Sequence, residues 1–134
     1  MPQHEVVAAL IIHAGRVLLG RRSATRAFYP NVWDVFGGHM EAGEGREQTL
    51  IRELQEELGI TPRDWKYVET LRDPSVDLTA HLYLVTEWSD DISNLQPEEH
   101  SEISWFTLAE AINLDLADPS YPALFARYLG PFEG

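Results

Sequence analysis

Glu53, Glu56 and Glu57 fall at i, i+3 and i+4 within GHMEAGEGREQTLIRELQEELGI, the run from Gly38 to Ile60 that reads as a glycine loop entering a helix. At roughly 100° per residue the three carboxylates share one flank, about 240–340° around the axis from Leu50. Leu50, Ile51, Leu54 and Leu58 occupy the neighbouring arc. One helix thus has an apolar stripe to bury and, beside it, a row of negative charge. Like charges at this spacing destabilise an isolated helix by about 0.2–0.5 kcal/mol per pair, and Arg52 offsets only part of that. A cation is expected on this flank, and clustered carboxylate oxygens suit hard divalent ions such as Mg²⁺.

The neighbouring elements must hold that helix in place. Leu58-Gly59 predicts a glycine C-cap, and Pro62 keeps the helix from resuming. Val6 to Ile12 and Val17 to Leu19 are nearly continuous apolar runs, read as strands covered on both faces. His13 to Arg16 between them predicts a hairpin turn with Gly15 at positive φ. Phe28 to Asn31 reads as a loop, and Trp33 to Gly38 leads into the acidic run. Tyr67 to Leu71 predicts a strand, with a turn at Asp73-Pro74. Val76, Leu78, Ala80, Leu82 and Leu84 alternate along a long strand ending near Trp88, with His81 and Tyr83 on the opposite face. Ser89 to Ser101 reads as a long polar loop. Thr107 to Glu110 is a capping-box signature opening a short helix. Tyr121, Leu124, Phe125, Tyr128 and Leu129 follow helical spacing up to Gly130-Pro131, and their stripe is expected in the core.

Composition limits the function. The 134 residues amount to one domain, 1–134, large enough to bury a core without staples. There is no cysteine, so thiol nucleophiles, thiolate metal sites and disulfides are excluded. No basic stretch followed by a long apolar run opens the sequence, and nothing approaches a membrane span, so a cytoplasmic location without membrane contact is expected. A formal charge of −12 argues against a nucleic-acid polymer as partner. It also repels any anionic substrate unless cations reverse the field locally.

The spacing Gly38, five residues, Glu44, seven residues, Arg52-Glu53-Leu54, one residue, Glu56-Glu57, one residue, Gly59-Ile60 resembles the Nudix box at every fixed position. Nine such matches arise by chance on the order of 10⁻¹⁰ times per window at average residue frequencies. Looser similarity reaches Trp33, the hairpin before it and Trp105-Phe106. The resemblance, to MutT-like Nudix hydrolases, implies an α/β fold, the Nudix α-β-α sandwich around a mixed β-sheet. It also implies a Mg²⁺-dependent pyrophosphohydrolase, with Mn²⁺ a substitute, cleaving the diphosphate linkage of a small nucleotide, preferably a nucleoside triphosphate. Monomer or homodimer fits the family.

Residue by residue, the resemblance makes Glu53, Glu56, Glu57 and the Gly38 carbonyl metal ligands. Glu44 becomes a supporting carboxylate and Arg52 the arginine that orients a glutamate through an ion pair. The general base comes from this helix or from a glutamate before Trp105, with Glu98 and Glu99 ranked ahead of Glu102. Arg21 and Arg22 are candidates for phosphate contact, a solvated loop being the bland alternative. Phe36 stands where the family commonly has proline before the Gly-Gly pair, and Ser120 where oxidised-guanine hydrolases have a base-reading asparagine. His39 is an extra candidate ligand whose more ordinary role is a solvated loop histidine. Two other readings are a non-catalytic Nudix-fold nucleotide-binding or sensor domain, which is expected to lack a box glutamate, and an acidic interaction module, which has no need of Gly38, Arg52 or Gly59 at fixed spacing.

Overall fold

The computed structural model describes residues 4–27 and 29–129. The expectations for Phe28 and for Gly130-Pro131 lie outside the described residues. In chain order the elements are β1 (His4–His13), β2 (Arg16–Arg22), β3 (Trp33–Asp34), β4 (Phe36–His39), α1 (Arg46–Leu58), β5 (Thr61–Asp73), a 3₁₀ turn (Pro74–Val76), β6 (Leu78–Ser89), β7 (His100–Phe106), α2 (Leu108–Ala111) and α3 (Tyr121–Leu129). They divide between two compact units, one built from the chain up to Leu10 with Phe36–Leu95, the other from Ile11–Val35 with the chain from Gln96 onward.

In the first unit the strands lie in the order β4–β1–β6–β5. Val7 to Ile11 of β1 are all buried, as a continuous apolar run requires when both faces are covered. Val6 to Ala9 pair antiparallel with His39 to Phe36. Phe36 is fully buried opposite Ala9. At this paired position a proline has no N–H to donate, whereas Phe36 fills the core and keeps its own.

Helix α1 starts at Gly45, whose N–H is taken by Gln48 Oε1 at 2.7 Å, and ends at Gly59 in the left-handed conformation (φ 73°). The glycine C-cap is as expected. Leu50, Leu54 and Leu58 are at most 1 % exposed, each worth about 1.5–3 kcal/mol of burial. The backbone N–H groups of Ser93 and Leu95 bond to the Leu58 and Glu57 carbonyls at 3.0 and 2.9 Å. Part of the long polar loop therefore serves the orphan carbonyls of the helix end.

Strand β6 shows the expected alternation, with His81 and Tyr83 opposite the aliphatic row. It is buried on both faces at its centre: Leu82 of the aliphatic row and Thr79, His81, Tyr83 and Val85 of the other are buried, whereas Leu78, Ala80 and Leu84 are only half-buried. The strand also begins at Leu78, Val76 being part of the 3₁₀ turn. Alternation located the strand and its period; hydrogen bonding lets a histidine sit in one of its buried rows. His81 Nδ1 meets Thr70 Oγ1 at 2.9 Å and its Nε2 meets Glu5 Oε2 at 2.7 Å, so the ring is buried with both nitrogens satisfied.

In the second unit β2 is the centre. Its residues Val17 to Arg22 pair with Phe106 to His100 of β7. Along its other edge lie Ile12 and His13 of β1, then Asp34 and Trp33 of β3. The β1–β2 hairpin turns through Ala14 and Gly15, both at positive φ (51° and 74°), the pattern of a two-residue type I′ turn. Ladder pairing carries β2 beyond its apolar run into Arg21 and Arg22, so the solvated-loop alternative does not hold for them. Thr107 and Glu110 form the reciprocal cap of α2, and Tyr121, Leu124, Phe125 and Leu129 of α3 are buried as the two patterns predict, whereas Tyr128 of the same stripe is only half-buried.

Candidate active site

The first unit gathers the acidic helix, the glycine pair and one arginine. Arg52 uses all five of its N–H groups. Nε donates to Glu44 Oε2 at 2.7 Å, and Nη2 donates to Glu44 Oε1 at 3.0 Å and to the His39 carbonyl at 2.9 Å. Nη1 donates to Glu53 Oε1 at 2.8 Å and to Glu56 Oε2 at 3.3 Å. A cation therefore does occupy the acidic flank, and it is the guanidinium of the helix itself.

Glu44 is drawn into this arrangement by its loop folding back. Its Oε1 also accepts from the Glu41 N–H at 3.0 Å and from Thr49 Oγ1 at 2.7 Å. Donation from Arg52, then from the Glu41 backbone and Thr49, holds the Glu44 carboxyl down to about 2. The same bond, with Glu44 first, raises the Arg52 guanidinium further above its ordinary range. Thr49 was not singled out in the sequence; a threonine on the first turn of the helix, five residues after Glu44, was the available signal.

Glu57 is buried, 5 % exposed, and its Oε2 accepts the Gly37 N–H at 3.2 Å. Glu53 lies directly against Gly38, where a Cβ would land on its carboxyl group. At Gly37 a Cβ would meet the Val7 carbonyl and Ala8 Cα instead. The two glycines thus serve different neighbours, one the strand β1 and the other the Glu53 side chain. Glu56 is the outermost carboxylate, with its side chain 52 % exposed.

Glu53, Glu56, Glu57 and the Gly38 backbone remain the candidates for holding a divalent metal, by the hardness of their oxygens and by the missing Cβ that lets Glu53 lie on the backbone. Among the described residues no three His, Asp or Glu side chains stand grouped as a finished metal cage. Arg52 instead binds three of the carboxylates at once. His39 is exposed, and its ring meets that of His4.

The remaining candidates fall in the second unit. Arg22 donates from Nε to the Tyr29 carbonyl at 3.0 Å and faces Asp34 Oδ2 from Nη1 at 3.7 Å. Asp34 Oδ1 also takes the Tyr121 hydroxyl at 2.7 Å and the Val35 N–H at 2.8 Å. Burial pushes the Asp34 carboxyl up, against the pull of Tyr121 and Arg22, and pushes the Tyr121 hydroxyl well up with Asp34 adding to it. Asp34 was not singled out in the sequence; a lone acid between Trp33 and Val35 was the available signal. Arg21 is exposed and registered opposite Glu102.

Of the late-loop glutamates, Glu98 is exposed, whereas the Glu99 carboxylate faces Arg26 at 3.6 Å and its carbonyl accepts the Ser23 N–H at 2.9 Å. Glu102 is exposed on β7. Ser120 donates both its N–H and its hydroxyl to Asp118 Oδ1, at 2.8 and 2.6 Å, in the turn that opens α3.

Comparison with known proteins gives a consistent result. The model of the NUDIX domain matches residues 2–128. The CTP pyrophosphohydrolase of Escherichia coli K12 is 35 % identical over 128 residues, covering 94 % of this chain and 92 % of that protein. Nucleoside triphosphatase NudI of Enterobacter sp. strain 638 is 32 % identical over 127 residues, covering 87 % and 90 %. Among solved structures, a MutT NUDIX hydrolase from Burkholderia pseudomallei superposes with a TM-score of 0.76 at 25 % identity, covering 92 % of this chain and 95 % of that one.

Proposed function

The chain belongs to the Nudix hydrolase family, is an α/β protein of the Nudix fold and acts on phosphorus-containing anhydrides, and from that premise we propose that it is a Mg²⁺-dependent pyrophosphohydrolase converting a nucleoside triphosphate and water into the monophosphate and pyrophosphate. The names of the relatives, one for CTP and one for nucleoside triphosphates, support that substrate class, with CTP the first compound to test. The observation that carries the reading is the Arg52 network, which arrays Glu44, Glu53 and Glu56 along one flank of α1.

Glu53, Glu56, Glu57 and the Gly38 carbonyl would hold the metal, Mn²⁺ serving in place of Mg²⁺. Held by these residues, a divalent ion would supply neutralisation of charge on the P–O–P bridge and activation of the attacking water. Arg52 keeps Glu53 against Gly38, and the Gly37 N–H keeps Glu57 turned inward. A glutamate takes the proton released by the attacking water, from α1 or as Glu98 or Glu99. Arg21 is the better phosphate contact of the arginine pair, because the Arg22 guanidinium is already engaged by Asp34 and the Tyr29 carbonyl.

The test is release of pyrophosphate or phosphate from a panel of nucleoside triphosphates, ADP-ribose, dinucleoside polyphosphates and sugar nucleotides, with Mg²⁺ or Mn²⁺. Pyrophosphate from CTP or another triphosphate, strictly dependent on metal, is the expected result. Turnover confined to ADP-ribose or the dinucleotides replaces the substrate class. Binding without turnover of any compound removes the catalytic reading.

A further inference from the structure

Two histidines of the first unit come together across a strand pair. His4 opens β1 and His39 closes β4. The register sets Val6 opposite His39, so His4 lies on the diagonal from His39, on the same face of the pair and within reach of a long side chain. The rings meet edge to face, with centroids 5.3 Å apart and planes at 66°. His4 Nδ1 and His39 Nε2 approach to 3.1 Å.

We propose that these two nitrogens form a binding site for a borderline divalent transition metal, Zn²⁺, Ni²⁺ or Cu²⁺. At a metal–nitrogen distance of about 2.0–2.1 Å, nitrogens at this separation subtend about 100° at the metal, between the cis octahedral and the tetrahedral angle. Imidazole suits these ions, whereas Mg²⁺ prefers oxygen, so the pair selects a different class of metal from the carboxylates of α1. Without metal the two rings share one proton in an N–H···N bond. On binding, that proton moves to the far nitrogen of its own ring, so both facing nitrogens present lone pairs and each imidazole stays neutral. Water or an anion completes the coordination sphere.

The backbone brings both ligands to one face of the strand pair. The Met40 N–H bonds to the Glu5 carbonyl at 2.9 Å and the His4 N–H to the Asp77 carbonyl at 3.0 Å, so the backbone of the pair is held and the ordering left for binding is a turn of the two rings toward a common point. A metal here clamps β1 to β4 at the residue whose carbonyl receives Arg52 Nη2.

The experiment titrates Ni²⁺ or Zn²⁺ calorimetrically into the whole, tag-free protein in excess Mg²⁺, with Cu²⁺ electron paramagnetic resonance to count coordinated nitrogens. One site is expected, weakened at least about tenfold in both His4→Gln and His39→Gln, with His13→Gln at wild-type affinity as control. The copper spectrum should show coupling to two imidazole nitrogens, falling to one in either variant. Wild-type affinity in both variants, or a copper spectrum without nitrogen coupling, overturns the proposal and leaves the pair a hydrogen bond only.

Discussion

Arg52 and Glu44 meet as a fork on a fork, Nε to Oε2 at 2.7 Å and Nη2 to Oε1 at 3.0 Å. Parallel charge-assisted bonds of this kind fix orientation as well as energy. They leave Nη1 aimed at Glu53 and Glu56. Arg52→Lys keeps the charge and loses the fork, so it should lower turnover or metal affinity by about 10–100-fold, the usual effect of losing a group that orients a metal ligand. Parallel measurement of kcat and of the metal concentration for half-maximal rate checks this.

The Glu44 carboxyl, held down to about 2 against an ordinary 4.5, gives a pH signature. A depressed carboxyl contributes stability that is present above the unfolded value and lost as pH falls through the folded one. The difference in Tm between wild type and Glu44→Gln should therefore be constant above about pH 5.5 and shrink steadily from there towards pH 2. A difference that persists at pH 2 assigns the stabilisation to another group.

Gly37→Ala and Gly38→Ala should fail in different ways. At Gly37 the new methyl strikes the backbone of β1, so overpacking of about 1–3 kcal/mol is expected, read as a lower denaturation midpoint. At Gly38 it strikes the Glu53 carboxyl, a side-chain end that moves aside, so the fold survives and turnover falls. Equal loss of stability in both variants counts against the second assignment.

Glu56→Gln and Glu57→Gln should abolish most turnover while the protein stays folded. Glutamine at 57 still offers an oxygen to the Gly37 N–H, and residue 56 is largely exposed. Metal should raise the wild-type Tm, by about 2.7 kcal/mol of stability at a hundredfold excess over Kd, and raise that of the variants less. Near-normal kcat at saturating Mg²⁺ removes the residue concerned from the site.

The late loop supplies a kinetic choice among three glutamates. If Glu98 or Glu99 is the base, its glutamine variant should lower kcat by roughly 10²–10⁴ with a much smaller change in KM. Glu99 already faces Arg26, so Glu98 is examined first. Wild-type turnover in Glu98→Gln, Glu99→Gln and Glu102→Gln sends the assignment back to α1.

By itself the sequence determined the acidic helix, its glycine cap, the hairpin turn, the reciprocal cap of α2 and the family. These are local features: i to i+4 geometry, a glycine at positive φ and a reciprocal side-chain cap are all written within a few consecutive residues. The same holds for the three glutamates on one flank. Tertiary structure alone decided which partners those groups meet. Glu44 reaches Arg52 because a loop folds back, and Glu57 turns inward because β4 presents the Gly37 N–H. Arg22, beyond the apolar run of β2, joins the strand because β7 offers a ladder partner, and its charge goes to Asp34. In β6 the period and its two opposed rows were legible, whereas burial of His81 in one of them depends on Thr70 and Glu5 supplying hydrogen bonds from neighbouring strands. A strand displays two faces to the reader; only its packed neighbours settle how far each is buried.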